Sequence, residues 1–266
     1  TLTDALISEF RKLNKTVGVL AVDPTSPFTG GAILGDRIRM QRHAADDGVF
    51  VRSLATRGAL GGLSQAAGNA IHVIEAMGKD IIIVETVGIG QQEIDIINHA
   101  HSVVVVLVPG MGDEIQTMKA GLMEIADVFV INKANRPGTG QLQTELSSML
   151  NLSPKNADGW KPPIVLVGDA FERATFDENT AELARKIEEH HCFLEQSGQL
   201  TERMHRKVMA EIKDALGACL MEPLMQSLIS SGEMGKLSEK IKNRKSDPYT
   251  VAEDITEKFF QKQVKK

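Results

Sequence analysis

The chain is 266 residues long, 42% hydrophobic and 24% charged, proportions that fit a folded protein with a substantial core and not a disordered or fibrous one. With 30 basic against 35 acidic residues, its formal net charge of −5 gives no positive field for a nucleic-acid backbone, so nucleic-acid binding is not expected. Cys192 and Cys219 lie in helical sequence far from any metal-ligand pattern and fit a reducing compartment, and no apolar run approaches the roughly 20 residues that cross a bilayer, so a non-membrane, cytoplasmic protein is expected.

In chain order, Leu2, Leu6 and Phe10 recur at helical intervals and predict a helix over Leu2 to Lys12, closed by Asn14 as a C-terminal cap. Val17 to Val22 then reads as a buried parallel strand that delivers Asp23 and Pro24 at its carboxyl end. Further strands are predicted at Ile81 to Val84 ending on Glu85, Val103 to Val108 ending on Pro109, Val128 to Ile131 ending on Asn132, and Ile164 to Val167. Helical stretches lie between them at Ser64 to Met77, Gln92 to Ala100, Ile115 to Ile125 and Thr139 to Leu150. The alternation is βαβ, so the fold class is α/β with a mostly parallel sheet flanked by helices, and ligands in such sheets sit at the carboxyl ends of strands. Beyond about Asp177 the sequence becomes continuous charged helix, a C-terminal helical arm. Its stripe Met204, Val208, Ile212, Leu216 and Leu220 suits packing back on the sheet and suits a partner helix equally.

Three segments carry candidate chemistry. Asp23 to Met40 is a glycine-rich polar loop directly after a strand, and its carboxylates Asp23 and Asp36 suit magnesium, a hard cation that takes oxygen ligands and keeps water and phosphate oxygens. The same residues also suit local capping, Asp23 in a turn with Pro24 and Asp36 before a helix at Arg37. In Ile81 to Glu93 an apolar strand ends on Glu85 in the manner of a Walker B carboxylate, and Gly88 offers an amide that a γ-phosphate can approach because no side chain obstructs it. Gln91 or Gln92 can orient an attacking water, or simply form polar surface. In Val130 to Asn135 the run NKAN follows a strand and resembles the guanine-recognition motif NKxD, with Asn135 where the motif has aspartate; an ordinary strand-to-helix loop is the other reading.

Together and in order, these segments resemble the MeaB/ArgK family of P-loop GTPases, a family that is related to the metal-chaperone GTPases and acts on adenosylcobalamin-dependent methylmalonyl-CoA mutase. The resemblance rests on LAVDPTSPFTGGAILGDRIRM, ETVGIGQQE, PGMGDEIQTMKAGLMEIAD and NKAN, and it runs from Thr1 to about Glu189. It implies a P-loop NTPase sheet, with Asp23, Asp36 and Glu85 at a magnesium site, Gly88 to Gln92 as switch II, and Gly110 to Lys119 as the switch that signals to the mutase. Asn132, Lys133 and Asn135 would face the base, as would Ala170 in the VGDA loop, where a Ser-Ala pair is usual. The family's GxxGxGKS loop would precede Thr1, so the chain reads as a fragment of a longer product.

The expectation is a magnesium-dependent GTP hydrolase over 1–190 with a helical dimerisation arm over 191–266, serving a cobalamin mutase as a homodimer. A eukaryotic source would place it in the mitochondrial matrix. An ATPase or kinase linked to amino-acid transport, and a non-catalytic mutase-interaction module, remain as alternatives.

Overall fold

A computed structural model describes residues 1–24, 40–56, 62–86, 99–110, 125–152 and 159–264. It divides into two compact units, Thr1–Glu211 and Ile212–Lys266. The predicted sites Asp36, Gly88, Gln91 and Gln92, the segment 111–119 of the mutase switch and most of two predicted helices, Gln92 to Ala100 and Ile115 to Ile125, lie outside the described residues.

In the first unit, α1 (Leu2–Lys12) buries Ala5, Leu6, Ile7 and Phe10, one helical stripe. Asn14 takes φ 59°, a left-handed conformation its short amide side chain tolerates, and the following Lys15 N–H reaches back to the Phe10 carbonyl at 3.0 Å. The strands are β1 (Val17–Pro24), β2 (Val49–Thr56), β3 (Ile81–Thr86), β4 (Val104–Leu107), β5 (Val128–Asn132) and β6 (Ile164–Val167). They form two parallel three-stranded sheets among the described residues, in the orders β2-β1-β3 and β4-β5-β6. The parallel α/β architecture expected from the sequence is therefore present, but as two sheets, because no described strand pairs β3 with β4. Among the described residues both strands are edges: every residue of β3 is only half-buried, and Val106 of β4 is exposed.

β2 was not among the expected strands. Arg52 and Ser53 interrupt its apolar pattern, which an edge strand tolerates because one side of it faces solvent.

The central strand β1 contributes Val17 and Val19 to a core shared with β5, β6, α1 and α4 (Arg173–Ser197). Its alternate residues, Leu20 and Val22, pack instead with Ile71 and Ile74 of α2 (Gly62–Ala76). Gly18 lets α2 approach this closely, since a Cβ there would overlap Ile74 Cγ2. Where β1 and β3 begin, the Asp80 carboxylate accepts the Thr16 N–H at 2.7 Å and the Thr16 hydroxyl at 2.8 Å. Those hydrogen bonds hold the Asp80 carboxyl below its ordinary range. α3 (Thr139–Leu152) covers the other sheet through Leu142, Leu146 and Leu150.

A buried carboxylate joins the later helices to the sheet. Asp127, 1% exposed, sits just before β5. Its two oxygens accept the forked guanidinium of Arg203 at 2.7 and 2.8 Å, and Oδ2 also accepts the Val103 N–H at 2.9 Å. His190 Nε2 lies 3.4 Å from Asp127 Oδ1, its Nδ1 lies 2.7 Å from the Ser102 hydroxyl, and the Trp160 indole donates to the Asp127 carbonyl at 2.9 Å. Arg203 belongs to α5 (Gln199–Ser230) and His190 to α4, and Gly198, φ 75°, supplies the left-handed break between those helices. One and two turns beyond Arg203, Lys207 pairs with Glu75 at 3.1 Å and Glu211 with His72 at 3.0 Å.

The second unit holds the rest of α5, α6 (Glu233–Lys242) and α7 (Pro248–Val264). Asp247 caps α7, accepting the N–H groups of Tyr249 and Thr250 at 2.9 and 3.0 Å. In α5 the stripe residues Ile212, Leu216 and Leu220 are all exposed.

Gly18→Ala is expected to lower stability by about 1–3 kcal/mol, because Ile74 is buried and has nowhere to move; urea denaturation measures it. His101, whose carbonyl accepts from Arg203, has its pKa lowered from the ordinary value by burial first and then by the Lys207, His191 and Arg203 charges, against Glu75. The unfolded chain then takes up the proton first as pH falls, so stability is lost below about pH 6.5. His101→Gln is expected to flatten the fall in melting temperature between about pH 7 and 5.5, and an unchanged pH profile would contradict it.

Candidate nucleotide-binding site

Parallel strands end their ladders on polar residues here, and the expected site residues fall at those ends. β1 closes on Asp23 and Pro24, and neighbouring β3 on Glu85 and Thr86. In register Glu85 stands opposite Ala21, so Asp23 follows two residues beyond it on the adjoining strand. The Glu85 side chain is half-buried, with its Oε2 shut off from solvent. A carboxylate held away from water at a strand end is a suitable oxygen donor for a hard cation. Among the described residues no group of three or more His, Cys, Asp or Glu side chains is arranged to hold a metal ion.

The second cluster sits on β5 and β6. These strands pair in register, Asn132 opposite Val167, at the point where both leave the sheet. The Ala134 N–H then donates to the Val167 carbonyl at 2.9 Å, which binds the loop Asn132 to Asn135 edge to edge with the loop Gly168 to Ala170. Asn132 Oδ1 accepts the Lys133 N–H at 2.9 Å. Lys133 adopts φ 57°, a left-handed conformation rare for a side chain with a Cβ and typical of strained functional loops. The Arg136 N–H closes the turn on the Lys133 carbonyl at 3.0 Å. Asn135 is exposed, and among the described residues its amide makes no hydrogen bond.

The facing loop is held from behind, where the Gly168 N–H donates to Asn179 of α4 at 3.3 Å. Asp169 turns back on its own chain, with Oδ1 accepting the Phe171 N–H at 3.3 Å and its carbonyl accepting the Glu172 N–H at 3.0 Å. The Ala170 N–H has no acceptor among the described residues. Beside it the Phe171 ring is 94% exposed, an unusual state for a large aromatic side chain. The structure thus brings Asn132, Lys133, Asn135 and Ala170 together at one pair of strand ends, and Asp23 and Glu85 at another. Sequence reasoning passed over Asp169 and Phe171, although both adjoin the expected Ala170.

A family profile described as methylmalonyl Co-A mutase-associated GTPase MeaB matches residues 1–233. The chain belongs to that family. A Pyrococcus horikoshii protein that carries a provisional GTPase name is 49% identical over 262 residues, which span 97% of this chain and 80% of that protein. The methylmalonic aciduria type A homolog, mitochondrial, of Caenorhabditis elegans is 31% identical over 254 residues, covering 92% of this chain and 61% of its own length. A crystal structure of a LAO/AO transport system kinase matches with a TM-score of 0.68 over 98% of this chain and 76% of that one, and at 24% identity it supports the fold alone. The parallel sheets flanked by helices agree with that fold, and no helix among the described residues is long and apolar enough to cross a membrane.

Proposed function

We propose that this MeaB-family chain is the hydrolase part of a GTP-dependent chaperone that gates cofactor loading and protection of an adenosylcobalamin-dependent acyl-CoA mutase of the methylmalonyl-CoA type. The observation that carries the nucleotide half of this reading is the pairing of the NKAN and VGDA loops through the Ala134 N–H and the Val167 carbonyl. The mutase half draws on the family's description and on the name of the nematode relative.

In this reading Asn132 and the Lys133 stem bracket the base, while the Ala170 amide donates to its 6-oxo group. Asp23, Asp36 and Glu85 hold magnesium, all three being hard oxygen donors, and Glu85 acts through an intervening water. When bound, the ion supplies neutralisation of charge on the phosphates. The Gly88 amide meets the γ-phosphate, and Gln91 or Gln92 orients the water that attacks it. The hydrolase domain spans 1–190, and 191–266 is a dimerisation arm, a role that the exposed α5 residues Ile212, Leu216 and Leu220 support. We infer a cytoplasmic protein, or a mitochondrial matrix protein in a eukaryotic source.

The test is phosphate release from magnesium-GTP by the full-length protein, with and without the mutase. Wild type is expected to hydrolyse GTP and to respond to the mutase, and Glu85→Gln to lose about 10- to 100-fold in rate or magnesium affinity. Phosphate passed from ATP to a protein acceptor, indifferent to the mutase, would point to a transport kinase instead. Mutase binding that needs no nucleotide would point to an interaction module.

A further inference from the structure

We propose that Asn135 makes this base site prefer a purine with a 2-oxo group, so that xanthosine triphosphate binds more tightly than inosine triphosphate, and inosine triphosphate more tightly than GTP. The inference rests on the nucleotide-binding reading above and sharpens its substrate.

Purines differ along the edge that such a loop reads. Guanine presents two adjacent donors, N1–H and the 2-amino group. A carboxylate answers both, because each of its oxygens accepts. Asn135 ends in one oxygen and one NH₂. If its oxygen accepts from N1–H, its NH₂ is turned toward position 2, where guanine offers another donor and one of the two groups is left unpaired. Xanthine carries N1–H beside a 2-oxo acceptor, so the same amide makes both bonds. Hypoxanthine carries N1–H beside a bare C2–H, which gives one bond and no opposed donors. The Ala170 N–H, without an acceptor among the described residues, is matched by the 6-oxo group of all three purines and not by the 6-amino group of adenine.

Two further observations bear on the assignment. Asn135 is exposed and its amide is uncommitted among the described residues, so it is free to turn oxygen and nitrogen to suit the base. The nearest alternative carboxylate in the paired loops, Asp169, is drawn back onto the Phe171 N–H at 3.3 Å, within its own turn. The side chain left to read positions 1 and 2 is therefore an amide. The fixed edge-to-edge pairing of the loops, through Ala134 and Val167, keeps that amide and the Ala170 donor on one frame.

Dissociation constants of the magnesium complexes of non-hydrolysable XTP, ITP, GTP and ATP analogues, measured by titration calorimetry on the full-length protein, test the proposal. Wild type is expected to bind XTP about ten- to a hundredfold more tightly than GTP, the scale set by one unpaired hydrogen-bonding group, with ITP between them and ATP weakest. Asn135→Asp is expected to reverse the order to GTP over XTP, and the ratio within one preparation is insensitive to any loss of folded protein. Asp169→Asn is expected to leave the XTP to GTP ratio unchanged. GTP as the tightest ligand of wild type would overturn the proposal, as would an Asn135→Asp ratio like that of wild type. A loss of GTP binding on Asp169→Asn would do the same, by assigning the reading carboxylate to Asp169. If GTP binds and is hydrolysed while the order of bases is wrong, only this inference fails. If no triphosphate binds, the nucleotide reading fails with it.

Discussion

A carboxylate that is 1% exposed cannot be left to itself, and the placement of Asp127 dictates much of the first unit. Its charge is answered by the fork of Arg203 and by the Val103 N–H, with the His190 ring 3.4 Å away. Removing one partner from such a pair typically costs about 3–5 kcal/mol, because the other charge stays buried. The pairing therefore fixes where α5 begins against the strands. It brings Lys207 and Glu211 onto Glu75 and His72 of α2 by helical spacing alone. Asp127 lies before β5, so this anchoring is at the amino ends of the strands, and the carboxyl ends are left to bind.

At those carboxyl ends the chain has little freedom. Parallel pairing carries β5 and β6 in register to Asn132 and Val167, and one more backbone hydrogen bond from Ala134 keeps their loops together after the ladder stops. Lys133 bears a left-handed backbone conformation at the tightest point. Strain of that sort persists only where the surroundings over-determine it, and here the paired strand below and the Arg136 turn above both do so. The pairing of these two loops is thus a property of backbone geometry, while in the proposed base site specificity rests on the side chain at 135.

Much of this was legible in the sequence. α1, closed beyond its end by Asn14, and the strand Ile164 to Val167 lie where periodicity and cap chemistry put them. Asn132 and Glu85 fall at strand ends because apolar runs stop at the first polar residue that the sheet cannot bury. β2 was missed because its edge position tolerates Arg52, which breaks the apolar pattern that betrays interior strands. The Asp127 network was missed for a different reason. Its members Ser102, Asp127, Trp160, His190 and Arg203 are scattered along the chain, and nothing local in any of them signals a partner. Phe171 went unnoticed because exposure is a tertiary property that a single aromatic residue does not announce.

We propose that nucleotide binds across the loops at the ends of β5 and β6. Amide hydrogen exchange of the full-length protein, followed by mass spectrometry with and without a saturating magnesium nucleotide, tests it most directly. Slowed exchange is expected in peptides covering 132–135 and 168–171, with the neighbourhood of Asp127 and His190 unchanged. Protection confined to other segments, in a protein that demonstrably binds the nucleotide, would contradict it.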